Sequence, residues 1–232
     1  MGEFIKRWCW RFIFICVYGL FIYQLWIFCH VLYWNQHNPT SSAFMQSQLN
    51  SLREKDANAV LRHQWVSYEH ISNEMKKAII ASEDGKFMQH NGFDYNALQN
   101  AFEKNLRDNK LSVGGSTISQ QLAKNLFLSH EKTLWRKAQE AVITLMLEKV
   151  MSKRRILEIY LNMIEWGNGI FGIQAAAHHY YDHSAAILTA KQAAYLASMV
   201  TNPRYYDENR TSSHLLKKSE IILKRIPSAK IP

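Results

Sequence analysis

From Phe12 to Trp34 the chain is an almost unbroken apolar run, interrupted by Gly19, Gln24 and His30. A helix without a polar face is either buried on all sides or surrounded by lipid. At about 1.5 Å per residue this run spans roughly 35 Å, enough to cross a hydrocarbon core of about 30 Å. Trp8 and Trp10 before it, and Tyr33 and Trp34 at its end, fit the aromatic belts of the two interfaces. Lys6, Arg7 and Arg11 precede it, so the positive-inside rule predicts a cytoplasmic N-terminus over 1–11 and an anchor over 12–34, with the remainder extracytoplasmic. A cleaved signal peptide, with Ser41-Ser42-Ala43 as a loose cleavage site, is the competing reading. Its apolar core would be about 7–15 residues, shorter than this run.

Beyond Trp34 the pattern changes twice. Asn35, Gln36, Asn38, Pro39, Thr40, Ser41 and Ser42 form a polar, uncharged stretch, and residues 35–59 read as a stalk. After it no proline occurs from Thr40 to Asn202, and no glycine from Ser116 to Trp166. Apolar residues there recur at helical steps: Leu134, Ala138, Ala141, Val142 and Leu145 in one segment, Ile156, Ile159, Tyr160 and Met163 in the next. Ala190 to Met199 reads as a further Ala-rich helix. Alternating patterns never exceed a few residues. The expected architecture is mainly α, with a helical globular domain over 60–210 and a helical tail over 211–232.

Composition sharpens this picture. Twelve of the 29 aromatics fall in residues 1–34, and no Asp, Glu, Lys or Arg occurs between Arg11 and Arg53. Cys9, Cys16 and Cys29 all precede the globular part, which excludes a disulfide framework or a Cys-based zinc site there. The net charge is +9. Residues 1–34 carry three basic and one acidic residue, so +7 remains beyond the anchor, 25 basic against 18 acidic. No nucleic-acid motif accompanies it, and an anionic bilayer surface or a phosphorylated substrate accounts for the charge.

Three segments carry candidate chemistry. Ala78 to Phe87 delivers adjacent carboxylates, Glu83 and Asp84, from an apolar helix end to Gly85; this is either an acid–base site or a solvated helix end. Gly114-Gly115-Ser116-Thr117 then opens a helix running through Gln120 and Lys124. Its free N–H groups make an anion site or an ordinary N-cap, and no Gly-Lys-Ser/Thr follows to make it a Walker loop. In the third, Arg136 and Lys137 stand four and three residues before Glu140, as a surface ion-pair cluster or as a cationic clamp around one carboxylate. Ser129-x-x-Lys132 lacks the Ser-Asp-Asn and Lys-Thr-Gly partners of a penicillin-binding transpeptidase. His178, His179 and His183 lack acidic or Cys partners at ligand spacing, so no metal site is expected.

Taken in order, Glu83 to Phe93, Gly114 to Lys124, Arg136 to Glu140, and Lys153 to Asn162 with Glu165-Trp166-Gly167 resemble the signatures of glycosyltransferase family 51, the peptidoglycan polymerases. The chain is most similar to the family's monofunctional, singly anchored members, over about residues 60–206. The resemblance implies a lysozyme-like helical glycosyltransferase domain acting on lipid II and the growing lipid-linked chain, at the outer face of the inner membrane. It implies Glu83 as general base on the acceptor GlcNAc 4-hydroxyl, with inversion to a β-1,4 linkage. Glu140 is implied as the second essential glutamate, at the donor pyrophosphate. Ser116, Thr117, Gln120, Lys124, Lys132, Arg136 and Lys137 match or adjoin substrate-binding positions, and Asp84, Phe87, His90 and Lys153 match supporting ones. A divalent cation, Mg²⁺ or Mn²⁺, is implied through the substrate pyrophosphate, and cell-wall synthesis or division proteins are the implied partner class. This sequence departs from many relatives at Lys132, where a point charge replaces a bidentate guanidinium, and at Asn100, where a basic residue is common. A lytic glycan-cleaving enzyme and a noncatalytic lipid II-binding anchor protein are the alternative readings.

Overall fold

The computed structural model describes residues 2–107, 115–129, 131 and 133–232; Gly114 and Lys132, both singled out above, lie outside the described residues. The chain divides into two compact units, residues 1–38 and 39–232. The first is a single helix, α1 (Gly2–Gln36), in which Lys6–Gln36 is long and apolar enough to cross a membrane.

The second unit is helical, with one small sheet. Its first helix, α2 (Ala43–Arg53), corrects the expected stalk: Phe44, Met45 and Gln48 are buried, and the helix packs on α5 (Ile118–Phe127). Met45, Leu49 and Leu52 recur at helical steps within an otherwise polar segment, and the Ser42 hydroxyl caps the helix by accepting from Met45 N–H at 3.2 Å.

Ser72 caps α3 (Asn73–Glu83) in the same way, and Met75, Ala78, Ile79 and Ile80 form its buried face. Full burial of such side chains contributes about 1.5–3 kcal/mol each. The helix stops where Asp84 leaves helical geometry, at φ −158°, which places Glu83 at its very end. After α4 (Tyr95–Arg107), α5 begins at a capping box made by Thr117 and Gln120. The helices α6 (Leu134–Val150) and α7 (Lys153–Met163) pack against α5.

The two helical segments of the sequence exist, but one has its core face reversed. Ile156, Ile159, Tyr160 and Met163 of α7 are buried as their spacing predicts. In α6 the periodic Leu134, Val142 and Leu145 are exposed, while Gln139, Glu140, Ile143, Thr144 and Leu147 turn inward. Periodicity alone cannot tell an inward stripe from an apolar stripe facing outward.

The sheet has three strands of two or three residues, in the order β1 (Arg62–His63), β3 (Ile170–Phe171), β2 (Glu165–Gly167). β1 runs parallel to β3, and β2 antiparallel to it. Strands this short leave no alternation in the sequence. After α8 (Ile173–Tyr181) come α9 (Ala190–Met199), α10 (Pro203–Glu208) and α11 (Ser213–Arg225). The expected C-terminal tail is part of the body, because α11 lies on α9 and α3 with Leu215 and Ile222 buried.

Gly172 joins the sheet to α8 at φ +80°, where a Cβ would stand 2.8 Å from the Asn162 carbonyl oxygen. Gly172→Ala therefore combines a left-handed backbone with a clash against main chain, and an expected loss of about 1–3 kcal/mol in a thermal or denaturant melt of the detergent-solubilised protein follows.

Candidate active site

Asp84 ties the end of α3 to the start of α5. One carboxylate oxygen accepts the Ile118 N–H at 3.0 Å; the other accepts His90 Nε2–H at 2.9 Å. His90 Nδ1 in turn accepts the Gly92 N–H at 3.2 Å, which assigns the ring proton to Nε2. The Thr117 hydroxyl donates to the Gly92 carbonyl at 2.6 Å and accepts from Gln120 N–H. Thr117 and Gln120 are thus buried and occupied in shaping the helix start, while Ser116 beside them is exposed. The turn also buries Phe87, whose ring lies 4.4 Å below Lys153 Nζ. Lys153 donates to Glu148 at 2.8 Å, and Ser119 donates to the same carboxylate, so Lys153 braces α5, α6 and α7 from behind.

That frame fixes Glu83. Its Oε1 accepts from the Ser82 hydroxyl at 2.7 Å, and its Oε2 from Gln121 Nε2 at 3.1 Å. The orientation of the Gln121 amide is itself set. Tyr160, fully buried on α7, donates its hydroxyl to Gln121 Oε1 at 2.8 Å. Burial, and then the negative charges of Glu83 and Asp84, hold the Tyr160 proton well above the ordinary phenol range, so the hydroxyl remains a donor. With Oε1 so occupied, the amide can only present N–H to Glu83. From α11, Lys218 Nζ reaches 3.7 Å from Glu83 Oε1.

Beside Gln121 opens a cleft of about 330 Å³, lined among others by Lys124, Asn125, Glu165, Thr201, Asn202 and Arg204. Gln121, Lys124 and Asn125 share a helix face at three- and four-residue steps. Arg204 Nε lies 3.0 Å from both oxygens of Glu165; burial pushes that carboxyl up, with Arg204 opposing.

A second cluster forms at the start of α6. Arg136 donates to Glu140 Oε2 at 2.6 Å, and Lys137 donates to Oε1. Glu140 is buried, whereas the Lys137 side chain is half exposed and its Nζ approaches Ser116 Oγ at 3.4 Å. One buried carboxylate therefore holds two cations beside the glycine–serine loop, an arrangement able to receive a polyanion.

The structure thus gathers Glu83, Asp84, Phe87, His90, Thr117 and Gln120 around one turn, and Ser116, Arg136, Lys137 and Glu140 around the loop next to it, with Lys124 in the cleft. Sequence reading missed Ser82, Gln121, Tyr160, Glu148 and Lys218. Gln121 carried a usable signal in its helical spacing to Lys124. Tyr160 was hidden among apolar positions, and Lys218, far along the chain, gave none.

Removing the Asp84 carboxylate leaves the Ile118 N–H buried without an acceptor. Asp84→Ala is expected to cost about 1–3 kcal/mol of unfolding free energy by thermal or denaturant melting, with activity falling because the turn under Glu83 loosens.

Comparison with known proteins adds an independent line. The family described as Transglycosylase matches residues 49–227. A biosynthetic peptidoglycan transglycosylase of Nitrosospira multiformis is 61% identical over 229 residues, covering 99% of this chain and 100% of that protein. Proteins of the same name from Nitrosomonas eutropha and Methylobacillus flagellatus are 56% and 55% identical, covering 98% of this chain and 93% and 100% of theirs. With helical architecture, ordered motifs and full-length similarity in agreement, the chain belongs to the Transglycosylase family.

Proposed function

We propose that this protein is a peptidoglycan glycan-strand polymerase, anchored in the bacterial inner membrane by α1 with its catalytic unit outside the cytoplasm. The reading is carried by Glu83, a carboxylate gripped at both oxygens and set beside a cleft containing Lys124. Glu83 takes the proton of the acceptor GlcNAc 4-hydroxyl. The freed oxygen attacks C1 of the lipid-linked donor sugar, and the bond from C1 to the pyrophosphate breaks. The electron pair leaves with undecaprenyl pyrophosphate, inverting the centre to a β-1,4 linkage.

Such a leaving group needs charge stabilisation more than covalent help. Arg136 and Lys137, held by Glu140, and the backbone at Ser116 supply it beside the donor. Apolar side chains are exposed on the helices to either side of this loop in the chain: Tyr95, Leu98 and Phe102 on α4, and Leu134 and Trp135 on α6. Exposed apolar side chains together with cations suit a substrate that is lipid at one end and diphosphate at the other. These features favour synthesis over lytic cleavage, whose leaving group carries no such charge.

A divalent cation, Mg²⁺ or Mn²⁺, would ride on the pyrophosphate oxygens and offset their charge. Glu140 has both oxygens engaged by Arg136 and Lys137, which leaves this carboxylate committed to its two cations.

Purified protein in detergent, given labelled lipid II and Mg²⁺, is expected to form long glycan strands. Glu83→Gln is expected to lower the rate about 10²- to 10⁴-fold while lipid II still binds. Breakdown of preformed strands without synthesis supports the lytic reading instead, and binding without any product the noncatalytic one.

A further inference from the structure

The C-terminal helix contributes to the site in a way the motifs do not indicate. Lys218 stands 3.7 Å from Glu83 Oε1, with its side chain mostly covered, and its ammonium also lies 3.5 Å from the Thr201 hydroxyl just after α9. α11 packs along both α9 and α3, so the backbone carrying Lys218 is fixed relative to the helix that carries Glu83. We propose that Lys218, as an ammonium, is a positioning residue for Glu83: it holds Oε1 in place so that the carboxylate faces the acceptor hydroxyl. The inference rests on the reading of Glu83 as the base.

Each carboxylate oxygen then has a protein partner besides the substrate. Ser82 and Lys218 meet Oε1, and Gln121 meets Oε2. Ser82 is the adjacent residue, and its hydroxyl also lies 3.3 Å from the Ala197 carbonyl, so it turns with the chain at the end of α3. Gln121 is locked by Tyr160. Lys218 is the one cation among these partners, and its reach from α11 fixes the carboxylate on the side that Gln121 leaves open.

The charged group that meets Lys218 is Glu83 on α3, with Asp84 and the Tyr160 hydroxyl behind it; Thr201 offers a neutral oxygen. Burial lowers the proton affinity of Lys218 from the ordinary lysine range, and Glu83 restores part of it. Lys218 therefore sheds its proton at a lower pH than an exposed lysine does. If the ammonium positions the base, activity falls on the alkaline side as that proton leaves. A guanidinium, which stays charged at such pH, carries activity further.

The test is steady-state polymerisation of labelled lipid II by the full chain in detergent, across a pH series, for the wild type, Lys218→Met and Lys218→Arg. Wild-type synthesis that Glu83→Gln abolishes is measured first, so failure of the underlying reading shows before any Lys218 variant is compared. Lys218→Met is expected to lower kcat roughly 10- to 100-fold with KM little changed, the effect of a misplaced reacting group. Lys218→Arg is expected to recover most of kcat and to move the alkaline limb to higher pH. A thermal melt separates misfolding from mispositioning, and if Lys218→Met fails to fold, the pH profile of Lys218→Arg decides. Wild-type kcat in folded Lys218→Met overturns the proposal, and so does an alkaline limb that Lys218→Arg leaves unmoved.

Discussion

Asp84 accepts the first backbone N–H of α5 with one oxygen and the imidazole of His90 with the other, and the rest of the site depends on that bridge. A helix start normally leaves several N–H groups seeking acceptors. Here one is satisfied by a residue from the end of another helix, so two elements far apart in sequence meet at a fixed distance and angle. Glu83 precedes the bridging residue on one side, and Ser116 and Thr117 precede the bridged one on the other. The candidate base and the anion-receiving loop are thereby referenced to a single junction.

Around this junction the polar groups are satisfied in a chain rather than singly. Tyr160 orients Gln121, Gln121 orients Glu83, and Glu148 holds Ser119 and Lys153 beneath them. In a low-dielectric interior each link strengthens the next, and a missing link leaves its neighbour unsatisfied. Such a network is rigid at the point where the Glu83 carboxylate is held. The cationic side is built differently: Arg136 and Lys137 share Glu140, but Lys137 remains half exposed and open to a ligand.

Much of this was legible in the sequence, and the illegible parts share a cause. Adjacent carboxylates before a glycine, a Gly-Gly-Ser-Thr helix start, and cations three and four residues from a glutamate are local patterns that reflect local geometry. Residues acting across the fold leave no such trace. Tyr160 reads as one more apolar position because burial, not its hydroxyl, sets its spacing, and Lys218 reads as a surface charge on a polar helix. The reversed face of α6 has the same origin, since apolar spacing records that a stripe exists and not what it meets. Short elements vanished as well: the strands around Ile170 are too brief to alternate, and the helical step of Met45, Leu49 and Leu52 in α2 is short and set among polar residues that resemble a linker.

One consequence concerns α5 itself. Its first turn is pinned to Asp84, Gln121 donates to the Glu83 carboxylate, and Lys124 stands in the cleft one turn further along. At about 1.5 Å of rise per residue, the helix acts as a ruler between the Glu83 carboxylate and the Lys124 ammonium. Lengthening or shortening it by one residue would also rotate the face by about 100°, because a turn takes about 3.6 residues. Insertions should therefore accumulate in the connections at either end of this helix and be absent from the stretch between Ile118 and Lys124, a pattern that sequence variation among relatives can display without any measurement of activity.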